Sequence, residues 1–189
     1  KLTKQLVARG IPAVDLLVNN AGIAAGGRID VAEISEWESI VAVNLLGVVR
    51  GCRTFTPGFK RQQSGTIVNI ASLAGLTQAP AMGAYNAAKA GVVALSETLR
   101  HELEPHGIRV SVVCPSFLRT NLASSLRGAD DLAEAGKERY LTRAKRTPEV
   151  VAARVLNGVD AGRYLILTDR EGRIAYWAKR FAPPLYRRA

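Results

Sequence analysis

Three continuous apolar runs, each stopping in small or polar residues, punctuate the chain, and helical patterns separate them. They are DLLVNNAG from Asp15 to Gly22, GTIVNIASLAG from Gly65, and IRVSVVCPS from Ile108. An unbroken apolar run, as opposed to an alternating one, is how a strand buried on both faces reads. Between the first two runs, Ser35 followed by Glu38 has the pattern of a capping box and predicts one helix reaching to about Lys60. A second helix is expected from about Tyr85 to Glu104, closed by Pro105 and Gly107. Thr147-Pro148-Glu149 starts another, and RYLILT, Arg163 to Thr168, reads as a last short strand. Strands and helices alternating at these lengths restrict the chain to a parallel α/β sheet with right-handed crossovers.

Ligands of an open parallel sheet bind beyond the carboxyl ends of its strands. The three runs end at Asn19-Asn20-Ala21-Gly22, Ala71-Ser72 and Pro115-Ser116, so these residues are expected to converge on one crevice. AYNAAKAGVVALSETLRHEL, Ala84 to Leu103, adds a tyrosine and a lysine four positions apart. Positions i and i+4 share a helix face, so Tyr85 and Lys89 reach the same small volume. The loop between Ser72 and Tyr85 is long enough to bring the serine hydroxyl back over the phenol.

Charge and composition exclude several classes. The net charge is +10, but residues 63–118 carry three basic and three acidic side chains. From Arg163 to Ala189 the count is seven basic against two acidic, so the excess lies toward the C-terminal end. With neither zinc-finger spacing nor an aromatic RNA-binding signature, nucleic acid is not an expected partner. No apolar run approaches a membrane span, and KLTKQLVARG has no apolar block of a signal peptide. Cys52 and Cys114 fall in apolar patterns and read as buried thiols of a reducing, cytoplasmic setting.

Five motifs in order resemble the short-chain dehydrogenase/reductase family in its compact single-domain form. They are NNAG at Asn19 to Gly22, Asn44 within VAVNLLG, Ser72 within NIAS, YNAAK at Tyr85 to Lys89, and PSFLRT at Pro115 to Thr120. The resemblance implies a Rossmann-like, doubly wound parallel sheet in three α/β/α layers, over residues 1–189 as a single domain. It also implies an oxidoreductase moving a hydride between NAD or NADP and an alcohol or carbonyl carbon. Such a reaction moves a proton at the oxygen, so an acid/base must lie within hydrogen-bond reach. Free tyrosine, with a pKa near 10, is too weak a base at neutral pH, and a nearby cation lowers that value. By resemblance, Tyr85 is the acid/base, Lys89 assists it and bonds the cofactor ribose, and Ser72 holds the substrate oxygen. Asn44 resembles the asparagine that anchors a water in a proton relay; equally, an asparagine in an apolar helix satisfies a buried backbone group. Ser72 has a turn reading as well. Asn19, Ala21, Gly22, Tyr85, Lys89, Pro115 and Thr120 are the implied cofactor contacts, with Thr120 on the nicotinamide carboxamide or, alternatively, capping a helix.

The pattern departs from the family at two points. Ser116 stands where the family usually has glycine. In addition, eighteen residues precede NNAG, without the glycine-rich turn between strand and helix that holds a pyrophosphate. About 70 further residues, two βα units, are expected upstream; without them the first strand is a bare apolar edge, and preference between NAD and NADP is unreadable. A non-catalytic fragment or interaction protein on the same fold is the alternative reading.

Residues 121–147 read as a mobile substrate loop. With Leu73 to Met82, Leu118, Leu122, Leu126, Tyr140 and Leu141 make apolar pocket walls, which suggests a hydrophobic alcohol or ketone. By resemblance, the helices near Ser35 and Tyr85 pair subunits in a homodimer or homotetramer. The basic tail, residues 173–189, places Ile174, Trp177, Ala178 and Phe181 at helical spacing, ended by Pro183 and Pro184. Trp177 and Phe181 are expected to pack on the domain or a partner subunit, with contact to a membrane surface as the alternative.

Overall fold

The computed structural model describes residues 5–6, 8–10, 13–24, 26–116 and 146–186. Four strands, β1 (Leu16–Asn19), β2 (Gly65–Ile70), β3 (Ile108–Val113) and β4 (Leu165–Ile166), form one parallel sheet in the order β1-β2-β3-β4. The helices are α1 (Ile34–Asn44), α2 (Leu46–Gln62), α3 (Ala74–Thr77), α4 (Gly83–Leu103), α5 (Pro148–Asp160), α6 (Arg170–Phe181) and α7 (Pro183–Tyr186).

The register explains why the strands read as unbroken apolar runs. Leu17 lies beside Ile67 and Ile67 beside Val110, and the next row on that face is Asn19, Asn69 and Val112. This face packs against Val48, Cys52 and Phe59 of α2 and Val92 and Leu103 of α4. Val68 and Val113 face the other way, toward Val159 of α5 and Ile166. Helices therefore cover both sides of β2 and β3, giving three layers. β1 is the exception: Leu16 and Val18, on the face of Thr66 and Val68 that they pair with, are 41% and 48% exposed.

Two local expectations are corrected. The single helix expected from Ser35 to about Lys60 is two helices, broken at Leu45 (φ −109°, ψ −59°). The capping box does not form either, because the N-cap is Glu33, which makes no side-chain cap bond, and Ser35 lies inside α1. The expected helix starting at Thr147-Pro148 is present, with Thr147 at its N-cap and the proline in its first turn.

A polar row crosses this otherwise apolar layer. Asn69, fully buried at the centre of the sheet, accepts from Asn19 Nδ2 at 2.8 Å and donates to Ser96 Oγ of α4 at 3.0 Å. Ser96 in turn donates to the Val92 carbonyl at 2.7 Å, and Asn19 also donates to Cys52 Sγ at 3.4 Å. The row ties β1, β2, α2 and α4 together through satisfied groups, the condition under which buried polar atoms stabilise. Asn69→Ala removes an acceptor and a donor at once; we expect a loss of about 1–3 kcal/mol in urea unfolding, with the m-value unchanged.

Candidate active site

Beyond their last ladder residues, β2 and β3 stay joined. Ala71 N–H donates to the Val113 carbonyl at 2.8 Å, and Leu73 N–H to the Pro115 carbonyl at 2.8 Å. This extension holds Ser72 beside the Pro115 turn. The Ser72 hydroxyl accepts from Ala74 N–H at 3.1 Å, which opens the short helix α3. A hydroxyl keeps its own proton when it accepts, so Ser72 still has a donor to offer.

Helix α3 lies directly on α4, and Gly75 is the reason it can. A Cβ at Gly75 would stand 2.7 Å from both the carbonyl carbon and oxygen of Lys89. The serine turn is thereby set at the height of Lys89. That lysine is 4% exposed, and its Nζ donates to the Ile70 carbonyl at 2.9 Å, at the very end of β2. Nζ also stands 5.8 Å from the centroid of the Tyr85 ring, itself buried. Tyr85 and Lys89 thus share one small volume, as their spacing on the helix requires. Burial pushes the Lys89 ammonium down to about 8, with a smaller opposing influence from Cys114. Cys114 lies buried below, and burial raises its thiol to about 12 against the partial offset of the Ser72 N–H and Lys89, so it stays protonated.

Asn44 ends α1 fully buried, and both ends of its amide are engaged. Ile23 N–H donates to Asn44 Oδ1 at 2.9 Å, and Asn44 Nδ2 donates to the Ile23 carbonyl at 2.8 Å. The side chain therefore satisfies a backbone segment and pins the loop that follows β1. In that loop a Cβ at Gly22 would meet Asn44 Oδ1 at 3.3 Å and Lys89 Nζ at 3.7 Å. Asn19 is directed into the sheet row described above, whereas Ala21 and Gly22 are exposed beside Asn44 and Lys89. The residues present fit the nicotinamide half of a dinucleotide: an open, side-chain-free approach at Gly22, and an ammonium with three donors of which Ile70 takes one. Thr120, with Leu118, Leu122, Leu126, Tyr140, Leu141 and most of 121–147, lies outside the described residues. Among the described residues no His, Cys, Asp and Glu cluster could hold a metal ion.

Ser116 has a structural partner that the sequence did not reveal. Its hydroxyl donates to Asp169 Oδ2 at 2.6 Å. Asp169 caps α6, accepting from Gly172 N–H at 2.7 Å, and also accepts from Thr168 Oγ1 at 3.1 Å. The departure from glycine thus connects the β3 turn to the start of the last long helix. Burial alone would raise the Asp169 pKa; the Ser116 hydroxyl, Gly172 N–H, Thr168 hydroxyl and Arg146 charge outweigh it and hold the carboxyl below its usual range. The missed signal was Asp169-Arg170-Glu171-Gly172 ahead of an amphipathic run, an ordinary N-cap pattern.

Comparison with known proteins decides the family. The family model described as short chain dehydrogenase matches residues 1–131. The chain belongs to the short-chain dehydrogenase family. Among curated members, the 3-oxoacyl-[acyl-carrier-protein] reductase FabG of Staphylococcus epidermidis is 36% identical over 132 residues, 70% of this chain and 53% of that protein. Among solved structures, a short-chain dehydrogenase/reductase from Burkholderia phymatum in complex with NAD has 31% identity and a TM-score of 0.85, covering 96% of this chain and 70% of that one. A short-chain dehydrogenase from Sphingobium yanoikuyae in complex with NADPH has 26% identity and a TM-score of 0.72, covering 93% and 63%. The chain spans between about half and three fifths of the length of the curated relatives it matches. Family membership carries the α/β/α fold.

Two measurements check this geometry. Because the folded pKa of Lys89 is lowered to about 8, the unfolded chain holds that proton more tightly up to about pH 10.4, so folding stability rises as pH climbs through this window. Urea unfolding at stepped pH is expected to show the rise in the natural protein and to lose it in Lys89→Met. Gly75→Ala forces α3 away from Lys89 and is expected to cost about 1–3 kcal/mol in the same assay.

Proposed function

We propose that this chain carries the catalytic residues of an NAD(P)-dependent oxidoreductase acting on an alcohol or carbonyl compound. The observation that carries the reading is the buried Lys89 ammonium, bonded to the Ile70 carbonyl and 5.8 Å from the Tyr85 ring. A bound dinucleotide would supply the nicotinamide that accepts or gives the hydride. Lys89, reached across the open surface at Gly22, would hold its ribose, and Ala21, Gly22, Pro115 and Thr120 would border it. Tyr85 gives or takes the proton at the substrate oxygen, and the Lys89 charge favours its phenolate form. Ser72 donates its remaining O–H to the same oxygen as charge develops there. Asn44 acts by position, since it fixes Ile23 and through it the Gly22 loop.

Leu73 to Met82, mostly apolar in sequence, would border the substrate beside Ser72, which supports a hydrophobic ketone or alcohol; the FabG relative, named for a 3-oxoacyl substrate, is compatible with this. Subunit pairing through α1 and α4 belongs to the same reading. A non-catalytic role is the second reading, favoured by a 42%-identical Xanthobacter autotrophicus relative, which is named as an inactive dehydrogenase.

Tyr85→Phe separates the two. It removes one hydroxyl and little packing, so the fold and dinucleotide binding are expected to persist while kcat falls about 100- to 10,000-fold for a carbonyl substrate followed by NAD(P)H oxidation. Full turnover in Tyr85→Phe would end the assignment, and no turnover in the natural protein would favour the non-catalytic reading.

A further inference from the structure

Helix α6 turns two very different faces outward and inward. Its inner face holds the domain: Gly172 is buried, Asp169 caps the first turn, and Lys179 Nζ donates to the Leu76 carbonyl at 2.7 Å and to Gln78 Oε1. Tyr186, just beyond, donates to the Thr77 carbonyl at 2.6 Å. The outer face is apolar. Ile174, Trp177 and Phe181 are 57%, 50% and 73% exposed, so of the two burials expected for Trp177 and Phe181, against the domain or against a partner subunit, the first is not made. The two rings stack at 5.3 Å, and Tyr176 meets the indole edge-on at 5.1 Å. The exposed residues Arg170, Arg173 and Arg180 lie in the same arc of about 120° as these side chains, at 3.6 residues per turn.

The company of these arginines decides what can cover the face. A second copy, docked by two-fold symmetry, would set this row of arginines against itself. Glu171, the one carboxylate on the helix beyond its cap, is paired with Arg146 at 2.5 Å. The arc therefore offers aromatic and aliphatic groups among three cations, and the one carboxylate of the helix beyond its cap is already paired. An acidic, apolar-backed surface complements it: aromatic rings seat at the headgroup level while arginines bond lipid phosphates. No helix among the described residues is long and apolar enough to cross a membrane, so the contact is peripheral. We propose that the outer face of α6 docks this protein on an anionic lipid bilayer, with Trp177 and Phe181 inserted at the interface and Arg170, Arg173 and Arg180 on the phosphates.

The test is co-sedimentation with vesicles of phosphatidylcholine alone and of equal parts phosphatidylcholine and phosphatidylglycerol. The natural protein is expected to bind the mixed vesicles about tenfold or more better, and to be released by added salt. Arg173→Glu with Arg180→Glu, and separately Trp177→Ala with Phe181→Ala, are expected to reduce binding about tenfold or more while thermal unfolding stays as in the natural protein, since all four side chains are exposed. The indole emission should shift to the blue on binding, and this shift should vanish in Trp177→Ala. Equal binding to both vesicles, no binding, or binding indifferent to these substitutions overturns the proposal. So does a dimer in sedimentation velocity that Phe181→Ser dissociates, since a second copy then owns the face.

Discussion

Burying a lysine is costly unless the ammonium is held, and in this fold the holder is the last carbonyl of the central strand. Lys89 is nearly inaccessible, and the Ile70 carbonyl accepts a hydrogen bond from its ammonium. For that bond to form, α4 must cross the end of β2 at a fixed height, the serine turn must leave β2 without covering the carbonyl, and α3 must approach α4 closely enough to seal the site. Gly75 permits the approach, and the Leu73 to Pro115 bond directs the turn. The same helix face then brings Tyr85 to the ammonium. A cation placed this way is weakly solvated and fixed in direction, which is what electrostatic assistance to a phenol requires.

The scaffold around this bond is tied together with side-chain amides. Asn69 reaches α4 at Ser96, two turns beyond Lys89, and reaches β1 at Asn19. Asn44 reaches the loop beyond β1 at Ile23. The helix that carries Tyr85 and Lys89 and the loop that carries Gly22 are therefore referenced to the same sheet. Ser116 and Asp169 extend the arrangement to α6, so that the turn after β3 and the helix with the exposed aromatic face share one carboxylate. That carboxylate is held low in pKa, so what it contributes to stability is present above its unfolded value and lost as pH falls through the folded one.

Much of this was legible in the residues. The unbroken runs marked β2 and β3 because both of their faces are covered. Tyr85 and Lys89 were legible because helix periodicity alone makes them neighbours. What stayed hidden is mostly backbone. The acceptor for Lys89 is a carbonyl, which every residue possesses, and no side chain announces it. The break at Leu45 was hidden because its sequence is as helix-compatible as its neighbours; the need of Asn44 to face Ile23 is a tertiary demand. The Ser116 to Asp169 bond joins positions 53 residues apart, beyond any local pattern. For the tail, periodicity shows only that a helix has two faces; the polar anchors on Leu76 and Asp169 determine which one turns inward.

The central claim is that the Lys89 ammonium, beside Tyr85, is built to receive a nicotinamide dinucleotide, and fluorescence titration with NADH and NADPH tests it most directly. The account predicts saturable binding of at least one of the two by the natural protein, and about tenfold or greater weakening in Lys89→Met, where the proposed ribose donor is gone and the long side chain is kept. Equal affinity in the two proteins, or no binding of either dinucleotide by the natural one, would contradict it.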